Sequence, residues 1–184
     1  MNETMKTILE RNTCRDFSGK PLSDESVQQL IQAALASPSA MNKMPWHIIV
    51  VTDKTLIDEM DTIAMEAIKS NEAMYNRMKE RGGKMYYNAP CMMIIAGDGS
   101  DYAQLDGGIV SQNIALAAHS LGLGSCICGM ARIPLASEQG ATLKQRLQFP
   151  EGYDFVMSVL VGHVNTGKAP HEMDYNKITT IKGA

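Results

Sequence analysis

Apolar positions along the chain follow two rhythms. Three short runs are nearly continuous and rich in β-branched or aliphatic residues: His47–Val51, Cys91–Ala96 and Asp154–Val164. Runs of this length, introduced by Pro45-Trp46, Asn88-Ala89-Pro90 and a Pro-Glu-Gly turn, predict buried strands. Elsewhere the spacing is three and four, as a helix requires. Met5, Ile8 and Leu9 give a short helix over Glu3–Arg11. Ser23 caps a second, with acids in its first turn and a core stripe of Val27, Leu30, Ile31, Ala34 and Leu35, ending at Ser37-Pro38. Residues 53–80 predict a long helix, and its polar part, 70–83, an excursion over a site. Ile133 to Gln145 predicts a further helix.

The longest helical pattern organises the rest. Ile109, Val110, Ile114, Leu116, Ala117 and Leu121 recur near a 3.6-residue period, then Gly122 and Gly124 stop the helix, and Ser125–Met130 reads as a short β-like run. A dinucleotide fingerprint needs strand, then G-x-G-x-x-G, then helix. Here the helix comes first, so that reading fails. Two readings stay open: a plain helix C-cap, or a strand end whose backbone N–H groups meet a ligand.

Composition narrows the partners. Seventeen basic against 20 acidic residues leave a formal charge of −3 with no basic block, which argues against nucleic acid or an anionic membrane. No apolar run reaches membrane-spanning length, and the N-terminus is charged and helix-like. Four cysteines without C-x-x-C or disulfide-scaffold density suggest a reduced cytoplasmic setting. The length suits one domain, residues 1–184. Its last twenty residues have too few apolar positions to fold alone, so they lie along their own domain or a partner subunit.

Candidate chemistry is sparse. If Arg11–Arg15 is extended, Arg11, Thr13 and Arg15 share one face and Asn12 and Cys14 the other. Two guanidinium forks and a hydroxyl suit a phosphate or carboxylate. Equally, the segment could be a solvated loop with its arginines paired to Asp16 or Glu10. Pro38 and Pro45 bracket a loop carrying Ser39, Asn42 and Lys43, a ligand contact or an ordinary connection; Trp46 reads as a core anchor. There is no P-loop and no G-x-S-x-G. The four histidines are far apart, and Cys126 with Cys128 lacks the second pair that a zinc site needs, so no metal is expected. A bound cofactor is the natural carrier of any chemistry.

Three pieces taken together resemble the nitroreductase family of flavin enzymes: Arg11-Asn12-Thr13-Cys14-Arg15-Asp16-Phe17, Ala36 through Trp46, and Asp106 through Cys126. The resemblance implies an α+β fold, a central mostly antiparallel sheet flanked by helices, in an intertwined homodimer with residues 165–184 packing on the partner subunit. It implies FMN at each subunit interface, with Arg11, Asn12, Thr13 and Arg15 at its phosphate and ribityl end. Pro38, Ser39, Ala40 and Asn42 would approach the ring from the other subunit, and Ile127, Cys128 and Gly129 would line it, a backbone N–H near Gly129 facing N5. The activity implied is a ping-pong exchange, NAD(P)H reducing FMN and a nitroaromatic, quinone or similar small acceptor leaving with the electrons. A flavin-binding redox module with little turnover, or a member with other reductive chemistry such as dehalogenation or enoate reduction, are the alternatives. The chain departs from the family at Met44 and Ala40, where glutamine and serine are usual. Its tail also lacks the usual arginine, for which Lys177 or Lys168 is the substitute.

Overall fold

The computed structural model describes residues 1–183. Four strands, β1 (Trp46–Val51), β2 (Cys91–Gly97), β3 (Gly124–Cys128) and β4 (Asp154–Gly162), form one antiparallel sheet in the order β1-β2-β4-β3. The helices are α1 (Glu3–Glu10), α2 (Asp24–Leu35), α3 (Lys54–Ala67), α4 (Glu72–Glu80), α5 (Ala103–Ser120), α6 (Arg132–Leu135) and α7 (Gly140–Arg146). The α+β architecture with an antiparallel sheet is the one expected.

Period-2 alternation sorts the two central strands between two cores. Met93, Ile95, Val159 and Val161 meet α2 and α5 through Leu30, Ala34, Val110, Ile114 and Ala118. Met92, Ile94, Leu160 and Phe155 meet Ile57, Met60 and Ala64 of α3 together with Leu135 and Leu143. With both faces covered, β2 is buried throughout and reads as an unbroken apolar run.

A β-bulge sets the fit of α5 to the sheet. The β2–β4 register shifts between Ile95 and Ala96, opposite Met157 and Phe155, leaving Val156 as the extra residue. A Cβ at Gly97 would stand 2.7 Å from one Val156 methyl, and a Cβ at Gly107 2.8 Å from the other. Val156 therefore wedges between strand and helix, and only glycine fits on either side of it.

Several boundaries differ from expectation. The long helix over 53–80 is two, because Ile68 closes α3 and Asn71 starts anew by accepting a hydrogen bond from Met74 N. The helix over 133–145 is likewise split, at residues 136–139. The β-like run after the glycines ends at Cys128, where Gly129–Ala131 make a 3-10 turn. Leu35, expected in the core stripe of α2, is 56% exposed; Leu30 and Ala34 carry that packing. Trp46 is buried as expected, although its Nε1 has no hydrogen-bond partner. Among the described residues no helix is long and apolar enough to cross a membrane.

Candidate active site

The segment after α1 is bound into the sheet. Thr13 bridges Ser125 in parallel, and Cys14 N donates to Ser125 O at 2.8 Å, so residues 11–17 run beside the outer edge of β3. Alternation turns Cys14 into the core and leaves Thr13 and Arg15 facing outward, and Phe17 is buried only because the path leaves β3 there and bridges Val164 instead. The chain also crosses two other strand ends. Phe17 N donates to Tyr87 O at 3.2 Å, Ser18 N to His163 O at 3.0 Å, and Asn165 N to Asp16 O at 3.0 Å. Gly124 permits this closeness, since a Cβ there would lie 2.8 Å from Cys14 Cβ.

Thr13 and Arg15 open onto a cavity of about 430 Å³ whose other charged walls are Arg81 and Lys168, with Tyr87 beside them. Asp16 also lines it. Its carboxylate is occupied, accepting hydrogen bonds from Thr166 Oγ1 and Asn165 Nδ2. Arg11 and Asn12 line a second cavity of about 260 Å³ with His119, Gly122, Gly124 and Lys168. The three-residue face expected of an extended Arg11–Arg15 is thus divided. Arg11 belongs to the C-cap of α1, and the strand-like path begins only beyond it. Lys168 joins the two cavities, whereas Lys177 sits in an exposed 3-10 turn of the tail.

On β3, Ile127 points away from the two cysteines and is 39% exposed. A Cβ on Gly129 would meet nothing closer than ordinary contact, Met157 Sδ at 3.9 Å. Ser158 Oγ donates to Cys128 O at 2.6 Å and fixes the strand end. Cys126 and Cys128 are buried on the α3 side. The neighbouring Cys128 thiol raises the Cys126 pKa, as does burial, while the Cys126 thiol lowers that of Cys128, which Arg15 also favours. Among the described residues no group of three His, Cys, Asp or Glu side chains could hold a metal ion.

Pro38, Ser39, Ala40 and Asn42 lie elsewhere. Ala40 N donates to the buried Asp106 carboxylate at 3.1 Å, and Met44 N donates to Ser39 Oγ at 2.8 Å. That places the loop at the N-terminal end of α5, while His119 at the other end meets Arg11. Thirteen residues at 1.5 Å per residue separate Asp106 and His119 by about 20 Å. Met41, Asn42 and Met44 hold φ of 52°, 53° and 47°, so the loop turns through left-handed conformations without glycine. One chain does not bring this loop to the Thr13–Arg15 cavity.

Arg81 and Tyr87 escape sequence reasoning because they reach the cavity from some seventy residues away, with no local motif. Lys168 was one of two open choices, and nothing in the tail's composition separates it from Lys177.

The donor set fits a phosphorylated flavin. Guanidinium, ammonium and hydroxyl groups converge on one cavity, suiting a phosphate and polyol. The side-chain-free backbone at Gly129 leaves room for a flat ring. The sequence pattern of the Nitroreductase family matches residues 8–163. A putative NADH dehydrogenase/NAD(P)H nitroreductase of Archaeoglobus fulgidus is 29% identical, over 95% of this chain and 92% of that protein. An NADPH-flavin oxidoreductase of Vibrio harveyi is 30% identical, over 89% of this chain and 66% of its own length. The fold is also that of a nitroreductase crystallised with bound FMN from Desulfitobacterium hafniense DCB-2. It is 44% identical, with a TM-score of 0.95 over 99% of this chain and 100% of that one. With pattern, sequence and fold in agreement along nearly the whole length, the chain belongs to the nitroreductase family.

Proposed function

We propose that this chain is an FMN-dependent oxidoreductase. It takes electrons from NAD(P)H and passes them to small acceptors such as nitroaromatics or quinones in two alternating half-reactions. The observation that carries this reading is the cavity where Thr13, Arg15, Arg81 and Lys168 converge, beside the strand that ends at Ile127–Gly129. When bound, FMN supplies two-electron acceptance and release, so the protein needs no nucleophile of its own.

The chain's residues bind and orient. Arg15 gives a planar fork to the phosphate and Lys168 a point charge. Thr13 donates its hydroxyl to the ribityl end, and Arg11 and Asn12 close the neighbouring cavity. Lys177 reaches the phosphate only if the tail folds over a second copy. Ile127 offers an apolar flank to the ring, and the backbone from Cys128 to Gly129 approaches its edge.

Pro38, Ser39, Ala40 and Asn42 complete the site from a partner subunit, because on their own chain they stand at the far end of α5. The apolar surface left uncovered supports this two-copy reading. Leu35, Met41, Met44 and Leu105 are exposed around that end of α5. In the tail, Met173, Tyr175, Ile178 and Ile181 are exposed as well, a pattern for an arm that wraps a second molecule.

Purified protein is expected to be yellow, with a flavin spectrum bleached by NADH or NADPH and restored by a quinone, and to sediment as a dimer. Colourless protein that fails to take up added FMN sinks the reading.

A further inference from the structure

Helix α4 carries Met74, Arg77, Met78 and Arg81 just to its C-terminal boundary, at spacings i, i+3, i+4 and i+7. These spacings put all four on one side of the helix. That side closes on Tyr87 and Met130 around a cavity of about 370 Å³. Arg81 and Tyr87 also line the Thr13–Arg15 cavity, so the two spaces share a wall. No carboxylate lines the outer one, the acids Glu72 and Glu80 of α4 staying outside it. Among the described residues the ion pairs involve neither Arg77 nor Arg81.

The materials of this wall match a definite ligand chemistry. Met78 is buried and Met74 and Met130 are half-buried, a polarizable bed that accepts a flat aromatic ring. Two guanidinium groups without a carboxylate partner, beside an apolar bed, suit a dianionic phosphate monoester. We propose that this face of α4 seats the adenosine end of the nicotinamide dinucleotide and selects NADPH over NADH through its 2′-phosphate. The inference rests on the NAD(P)H-oxidising reading above. Arg81, on the shared wall, meets the pyrophosphate common to both dinucleotides. Arg77 lies one turn farther from the flavin cavity, about 6 Å along the axis. There it meets the 2′-phosphate, with the purine resting on Met74, Met78 and Met130.

Two measurements test it, one independent of turnover. In calorimetric titrations the protein is expected to bind adenosine 2′,5′-bisphosphate at least about tenfold more tightly than adenosine 5′-diphosphate, equivalent to about 1.4 kcal/mol. Arg77→Ala and Arg77→Glu are expected to erase that preference, and Arg77→Lys to keep part of it. With the FMN-loaded enzyme and a benzoquinone acceptor, Arg77→Ala is expected to lower the NADPH:NADH ratio of kcat/KM at least about tenfold, chiefly through KM for NADPH. Lys6→Ala, a basic residue of α1 outside this cavity, is the control and should leave the ratio in place. Equal binding of the two nucleotides, or a preference that survives in Arg77→Glu, overturns the proposal. The flavin band separates the two readings. A yellow, NADH-reducible protein without 2′-phosphate preference removes this inference alone, and a colourless one removes the reading beneath it while the titration still decides the adenosine seat.

Discussion

Residues 11–18 are stitched to the molecule on three sides, at Ser125, Tyr87 and His163, and anchored by two buried side chains, Cys14 and Phe17. Residues 38–44 are tied to the body by one carboxylate, that of Asp106, and bend through three left-handed non-glycine residues. Both segments carry expected FMN contacts, yet they are built in opposite ways. The first is held in place entirely by its own chain. In the second, strain on the order of 1 kcal/mol or more per left-handed residue persists with few local contacts to hold it. Such a loop suits a surface that a second copy completes.

The largest expected break is at the rigid segment. Phe17→Ala empties a fully packed position and should lower stability by about 3–5 kcal/mol. Urea unfolding reads the loss, and hydrogen exchange is expected to rise at residues 11–18 before 38–44. A loss below about 1 kcal/mol would mean that the backbone stitches alone hold the segment. Arg15→Ala comes next. It should weaken FMN by about 1–3 kcal/mol, the range for a charge-assisted hydrogen bond, while Arg11→Ala, facing the separate cavity, costs less. Fluorescence titration of apoprotein with FMN measures both, and equal losses would contradict the division of the two arginines. The smallest effect is expected at Asp106→Ala, which frees Ala40 N but also lets the strained loop relax. The net change is about 1–2 kcal/mol of stability, with proteolytic cutting appearing within 38–44. Cutting at 11–18 instead would reverse the comparison.

Much of the fold was legible because burial on two sides writes itself into sequence. Cys91–Ala96 and the stretch ending at Gly162 could be little other than central strands, and Gly122 stops α5 in a left-handed turn at φ 72°. The break between α3 and α4 was not legible, since the cap is Asn71 inside an otherwise helix-compatible run and neither glycine nor proline marks it. Leu35 misled for a different reason. An apolar stripe reports that a face is to be covered, and does not tell whether the cover is the same chain or another. The left-handed Met41 and Met44 leave no compositional trace either. At the candidate site, alternation placed Thr13 and Arg15 on one face, but it took the family resemblance to read that face as a phosphate contact in place of a solvated loop. The separation of Arg11 from them, and the arrival of Arg81 and Tyr87, depend on how distant segments cross.

The Val156 wedge has one more consequence. Gly97, Gly107 and Val156 come from three elements, yet they press on a single volume: either glycine can gain a methyl only if the valine gives way, and at Gly97 Ala103 must yield as well. Substitutions at these positions are therefore not expected to be independent in stability. It is this shared volume that sets how close α5, and with it the whole length between the two expected flavin contacts, can lie to the sheet.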